Sequence, residues 1–373
     1  MSCRYHCAVR VVIVTDEPFV SRERTLIRRL LVGLADEGVR AQVAVPVEVA
    51  HAVELDVVGP VIPFECRGTW LSRQLRAQRL ADSILASAPD VPVDVVHVMG
   101  GSAWGLASDV ARRLRSIVVF EVWRAGLSDR SRAMRVAGDH RVAFFTSSPG
   151  IERTLLREGA GLVVRLTPWG VHAPSRPNPV LRPGRPPAIV LAGSGRNTSS
   201  FLAAFRGACL TLDEFPDAML FVDADAARRA GIWKLAQAAG LLDRVSLIDA
   251  VEERRDLVVR NDILLYPDHR GEQRTLLLDA MAAGMCVIAH ADPLVTCLIP
   301  DQTARVLNDP SEEIWSAELR RTLKLPNEAR ALGLSARERI RTDYRATNHV
   351  RSVLDGYEWL TTSDAVAFRE TAR

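Results

Sequence analysis

DILLYPDHRGEQRTLLLDAMAAGMCVIA, residues 262–289, reads as strand, loop, helix, turn and strand. Ile263-Leu264-Leu265-Tyr266 is a short apolar run stopped by Pro267, and Cys286-Val287-Ile288-Ala289 is a second. Between them, Thr275 to Ala283 is a run of good helix formers closed by Gly284, a residue suited to the position just past a helix end. Two buried parallel strands joined by a helix make a βαβ unit, and the N-terminus of that helix faces the carboxyl edge of the sheet. Free backbone N–H groups there favour an anionic ligand such as a diphosphate. The loop adds Glu272 and Arg274 just before the helix, which opens at Thr275 and carries Asp279 inside it.

This stretch resembles the retaining glycosyltransferases of the GT-B fold, family 4 or group 1. In that family a glutamate follows the strand and its proline. It stands eight positions before a second acidic residue, and Ala-Met-Ala-x-Gly-x-Pro-Val-Ile-Ala comes next. Asp279-Ala280-Met281-Ala282-Ala283-Gly284-Met285-Cys286-Val287-Ile288-Ala289 is similar to that ending. By resemblance, Asp279 takes the place of the acidic residue that meets the nucleotide ribose. Eight positions earlier lies Gly271, and the nearest carboxylate, Glu272, is displaced by one, so the motif is degenerate here. The fold implied is α/β: GT-B, two Rossmann-like doubly wound domains with an interdomain cleft.

Length and composition agree with two globular domains. The chain has 373 residues, of which 48% are apolar, so each half can bury a core and disorder is not the default. A net charge of +3 is too small to argue for nucleic acid. No apolar run reaches the roughly 20 residues of a membrane span. The opening MSCRYHCAVRVVIVT is too short and polar before its strand for a signal peptide, and a cytoplasmic location is the expectation. Cys3, His6 and Cys7 invite a metal reading but lack a second ligand pair, so no metal is expected. Cys286 and Cys297 are expected as small core residues.

The first domain, expected over residues 1–172, alternates strand and helix. Val9 to Thr15 suits a central parallel strand, and Ser21 is a plausible N-cap for a helix whose Leu26, Ile27, Leu30, Leu31 and Leu34 share a face. The intervening loop, Asp16 to Arg22, has no glycine where the resemblance implies a Gly-Gly phosphate loop. Thr69 to Ala88 reads as an arginine-rich helix, for which a peripheral membrane contact around Ser72–Arg79 and a solvated face are both open. Val93 to Val98 is a buried strand holding His97, followed by the ligand-loop candidate Gly100-Gly101. Ile117 to Val122 is another. After it the family commonly has a histidine near the donor sugar, and this chain has Glu121, Val122 and Trp123. Glu121 is a catalytic candidate, able to accept a proton or hold a sugar hydroxyl; pairing with Arg124 is the alternative.

Pro168-Trp169-Gly170 resembles the family's hinge. Residues 173–187, dense in proline, cannot be helix or central strand and are expected as an interdomain linker. The second domain, expected over 188–345, restarts with Ala188 to Ala192 and the loop Gly193-Ser194-Gly195-Arg196. By resemblance, Gly193, Gly195 and Arg196 hold the donor diphosphate; the family's following lysine is absent, and Arg274 could replace it. Asp223-Ala224-Asp225 follows another strand, Glu252 to Val259 reads as helix, and Ile299 to Leu307 resembles the family's hairpin. Helices are expected from Ser311 and Ser335. Residues 346–373, with Tyr357-Glu358-Trp359-Leu360, resemble the family's tail, a helix that crosses back onto the first domain.

The function implied is retaining transfer of a hexosyl-type sugar from a nucleotide diphosphate donor to an unidentified acceptor, with the nucleotide sugar as co-substrate and no separate cofactor. Glu272 is the catalytic candidate beside Glu121, and Arg196, Arg274, Thr275 and Asp279 face the nucleotide. A catalytically degenerate GT-B scaffold that binds a nucleotide or protein partner is the alternative, and a nucleotide-sugar epimerase is a third class.

Overall fold

A computed structural model describes residues 9–51, 54–134, 142–158 and 162–361. Cys3, His6 and Cys7 lie outside them. The chain divides into two compact units, Met1–Trp169 with Ala346–Arg373, and Gly170–Arg345.

The first unit runs β1 (Arg10–Thr15), α1 (Glu17–Asp36), β2 (Arg40–Pro46), β3 (Ile62–Phe64), α2 (Trp70–Ser87), β4 (Val95–Met99), α3 (Trp104–Leu114), β5 (Ile117–Glu121), α4 (Ser128–Ala133), β6 (Val142–Thr146), α5 (Pro149–Glu158) and β7 (Val164–Leu166). Its sheet is parallel, in the order β3-β2-β1-β4-β5-β6-β7. The runs that read as continuous apolar strands are those buried on both faces: β1, β4, β5 and β6 have no exposed residue. Arg10 is the charged exception to this apolar pattern in β1, yet it is buried, and its guanidinium donates to the Ile84, Ala88 and Val91 carbonyls, satisfying groups that the end of α2 leaves open.

One local expectation is corrected here. Helix α1 begins at Glu17 and not after Ser21: Asp16 is the N-cap, accepting from the Phe19 N–H, and Pro18 sits in the first turn, where it loses no helical hydrogen bond. The helix is interrupted once, at Glu23, whose φ/ψ of −131°/27° is not helical. The arginines of α2 are turned to partners: Arg73 pairs with Asp109, Arg76 donates to the Cys66 and Thr69 carbonyls, and Arg79 approaches Glu65.

The second unit comprises β8 (Ala188–Leu191), α6 (Thr198–Leu212), β9 (Met219–Asp223), α7 (Ala224–Ala230), α8 (Ile232–Ala238), β10 (Val245–Ile248), α9 (Arg255–Val258), β11 (Ile263–Tyr266), α10 (Thr275–Ala283), β12 (Cys286–His290), β13 (Arg305–Leu307), α11 (Glu312–Lys324) and α12 (Pro326–Asp343). Its sheet is also parallel, ordered β10-β9-β8-β11-β12-β13. The expected hairpin at 299–307 is instead a turn leading into β13, which joins β12 in parallel. The helix expected from Ser335 starts earlier, at Pro326, where proline at the first turn is tolerated.

The proline-rich residues 173–187 are fastened to this unit. Fully buried Asp262 accepts from the Leu181 and Ala188 N–H groups at 2.7 and 2.9 Å and pairs with Arg185. The Asn178 N–H reaches the Ala283 carbonyl, and Arg337 donates to the Pro174 carbonyl. Prolines cannot join a sheet ladder, so side chains and backbone groups of the unit supply the anchorage. After α12, helix α13 (Ala346–Thr361) belongs to the first unit, where an added Cβ at Gly356 would meet the Phe145 ring at 2.5 Å. Among the described residues no helix is long and apolar enough to cross a membrane.

Candidate functional site

In each sheet the strand order reverses between two neighbours, and such a switch point opens a crevice at the strands' carboxyl ends. In the second unit these are β8 and β11, and the loops that leave them hold most of the expected site residues.

The loop after β8 turns at Gly195, whose φ of +63° is a left-handed conformation and whose Cβ, if present, would lie 2.8 Å from Ala226 Cα. Only glycine fits both demands. Asp268, just past β11, binds this loop from the other side: its carboxylate accepts from Ser194 N–H at 2.6 Å and Ser194 Oγ at 2.9 Å. An added Cβ at Gly193 would crowd the same carboxylate at 3.1 Å. Burial first, and then the charge of Glu272, raise Asp268 to about 6, with Arg274 opposing the shift. Two residues expected to serve the ligand meet here, since Arg196 Nη1 donates to Glu272 Oε1 at 3.2 Å.

The loop from β11 to α10 bends through two consecutive left-handed residues, Arg270 (φ 70°) and Gly271 (φ 74°). Asp292, beyond β12, holds the bend by accepting from the Gly271 N–H, and Tyr266 Oη donates to the Glu272 carbonyl. Arg274 occupies the N-cap position of α10 without a side-chain cap, is buried, and lies 3.7 Å from Asp223. Asp223 also caps α7 by accepting from the Asp225 and Ala226 N–H groups. Asp223 and Asp225 are thus a helix cap and a surface partner of Arg228. Among the described residues no three His, Cys, Asp or Glu side chains cluster as metal ligands would.

Asp279 and Thr275 share a partner. Arg255 Nη1 donates to Asp279 Oδ2 and to Thr275 Oγ1, each at 2.7 Å, while its other nitrogen meets Glu252. All three charged groups are at most 8% exposed. Sequence reading missed Arg255 and Glu252, although their spacing of three within an expected helix was a visible signal. It also missed Asp268, for which position at a strand's carboxyl end was the only clue.

Glu121 lies inside the first unit. It ends β5, is 1% exposed, and accepts from Trp169 Nε1 at 2.9 Å while its other oxygen lies 3.2 Å from His97 Nε2. His97 Nδ1 meets Tyr357 Oη of α13 at 2.6 Å. A carboxylate with both oxygens so engaged anchors Trp169 and, through His97, the final helix. His349, also on α13, is pushed down to about 4, by burial first and then by His97 and Arg29, against Glu121. Burial in turn raises the Cys286 and Cys297 thiols to about 12, as befits core residues. The Gly100-Gly101 loop serves the fold as well: Gly100 (φ 113°) lets the chain pass Asp16, which accepts from Ser102 N–H and Oγ.

No protein-family model matches the chain, and no curated protein matches its sequence. Solved structures do resemble it. Sucrose-phosphate synthase from Thermosynechococcus elongatus superposes with a TM-score of 0.70 at 16% identity, covering 94% of this chain and 99% of that one. HepE of Anabaena, in complex with UDP and glucose, gives 0.72 at 10% identity over 94% and 99%. A UDP-N-acetylglucosamine 2-epimerase gives 0.60 at 16% identity over 93% and 94%. The fold is therefore GT-B, with two Rossmann-like α/β domains.

Proposed function

We propose that the chain is a retaining glycosyltransferase of the family 4 type that takes its sugar from a nucleoside diphosphate. The observation that carries this reading is the convergence of two strand-to-helix loops, 193–197 and 267–274, at the β8/β11 switch point, where Arg196 meets Glu272 beside the N-terminus of α10. An arginine and a helix N-terminus at one crevice are what a departing diphosphate requires. The HepE neighbour, bound to UDP and glucose, supports the same ligand class for this fold.

In this reading the bond between sugar C1 and the diphosphate oxygen breaks, and its electron pair leaves with the diphosphate. The acceptor hydroxyl oxygen bonds to C1 on the same face, and its proton passes to the departing phosphate oxygen. Arg196 faces the growing negative charge with a charge-assisted hydrogen bond. Glu272 orients Arg196 and reaches a sugar hydroxyl, replacing the displaced family glutamate. Asp279 and Arg255 together shape the ribose side. Arg274, held beside Asp223 at the helix start, offers the phosphate a second guanidinium.

A second reading has its own observation: Glu272 and Asp279 are both engaged by arginines of the chain, as befits a scaffold that binds without reacting. The fold is shared with an epimerase, so isomerisation is a third outcome. Thermal-shift screening of uridine, guanosine and adenosine diphosphate sugars, followed by product analysis by NMR, separates the three. Transfer with an unchanged anomeric configuration supports the proposal. Binding without turnover favours the scaffold, and donor conversion without any acceptor favours the epimerase. Absence of binding by every nucleotide overturns the site assignment.

A further inference from the structure

Beside the candidate diphosphate loop stand two histidines that the transfer itself does not use. His290 ends β12, and His269 lies three residues beyond the end of β11, the neighbouring strand. Their rings are half-buried, with centroids 4.5 Å apart and planes inclined at 36°. Both are tied to the start of α6. The amide of its N-cap, Asn197, lies 2.9 Å from His269 Nε2, and Ser200 Oγ lies 3.4 Å from His290 Nδ1. Asn197 directly follows Arg196, so the pair adjoins the loop that would receive phosphate.

The charges around the pair are mixed. Asp292 acts on His269 and Asp309 on His290, while Asp268, Arg270 and Glu272 come from His269's own loop and Arg196 from the loop after β8. Burial, and then His269 itself, hold His290 below its ordinary value. Two like charges at this separation repel, so the rings share one proton more readily than they hold two. An anion arriving at the loop makes that shared charge favourable.

We propose that His269 and His290 form a proton-linked pair that takes up a proton when a nucleoside-diphosphate sugar binds, so that donor affinity depends on pH near neutrality. The inference rests on the reading of the Gly193–Asn197 loop as the diphosphate site. Its direction is fixed by linkage: a ligand whose binding takes up protons binds more tightly at lower pH, by up to about tenfold per pH unit for one proton. The window opens at or below the ordinary histidine value of about 6.5, because His290 starts below it and the arriving anion raises it.

Titration calorimetry with UDP-, GDP- and ADP-sugars in buffers of different ionisation heat tests it. These donors are suitable because their phosphates are diesters that stay ionised in this range, so a proton taken up goes to the protein. Wild type is expected to take up a fraction of a proton at about pH 6.5, and nearly none at about pH 8.5. The His269→Asn/His290→Asn double variant should bind with a flat pH profile and no uptake. If it does not fold, each single variant must remove at least half of the uptake. Binding without proton uptake in wild type, or uptake that survives both substitutions and so belongs to Asp268 or Glu272, overturns the inference alone. Failure of all three donors to bind at any pH removes the diphosphate site and the inference together.

Discussion

Asp279→Ala distinguishes a ligand contact from a structural bolt. Asp279 Oδ2 accepts from Arg255 Nη1 at 2.7 Å, and the two side chains are 8% and 7% exposed. Arg255 also holds Thr275 at the start of α10 and Glu252 beside α9. Removing one carboxylate leaves a buried guanidinium with fewer partners, which typically costs about 3–5 kcal/mol. Glu252 remains to cover the charge, so the low end, about 3 kcal/mol, is the expected loss. For a unit the size of Gly170–Arg345, at roughly 2–4 °C per kcal/mol, the melting temperature should fall by about 6–12 °C. Differential scanning calorimetry of that unit's transition, without and with nucleotide sugar, measures it. Arg255→Met combined with Asp279→Leu removes both charges and should recover much of the loss, because no ion is then left buried alone. A melting temperature within about 2 °C of wild type, accompanied by collapsed nucleotide affinity, would refute the bolt and make Asp279 a direct ribose ligand.

Three further outcomes are expected. Glu272→Gln should abolish sugar transfer yet cost less than about 1 kcal/mol of stability, since its partner Arg196 is 34% exposed; wild-type turnover in that variant would leave Glu272 only an orienting role. Gly195→Ala forces a left-handed alanine against the Ala226 backbone, for a cost of about 1–3 kcal/mol, and should erase thermal stabilisation by nucleotide sugars; intact stabilisation would clear the loop of any ligand role. His349 sits at about 4 in the folded chain, below its ordinary 6.5, so the native state binds fewer protons than the unfolded one between those values. Its contribution is complete above about pH 6.5 and is lost as pH falls towards 4, up to about 3 kcal/mol. His349→Leu should flatten that part of the stability profile of the first unit, measured by melting between about pH 4.5 and 7; an unchanged slope would place the titration elsewhere.

The alternation of strand and helix was legible because it is written in local burial. Val11 to Val14 and Ile263 to Tyr266 are apolar without interruption, as strands covered on both faces must be, and Gly284 stands where α10 needs a left-handed residue. The same locality gave the β11–α10–β12 unit and the candidates around Glu272. It misled at Asp16, read as part of a loop because its capping role depends on the helix that Pro18 permits, and at Ile299 to Leu307, where only the sheet edge makes the strand parallel. Partner choice was hidden altogether. Arg196 finds Glu272 across 76 positions, Asp268 finds Ser194 across 74, and Glu121 finds Trp169 across 48. A side chain's residue type states what charge or hydrogen bond it can offer. Which group receives it is decided by the strand order, which sets β8 beside β11 and β5 beside β4 and brings the ends of distant loops within 3 Å.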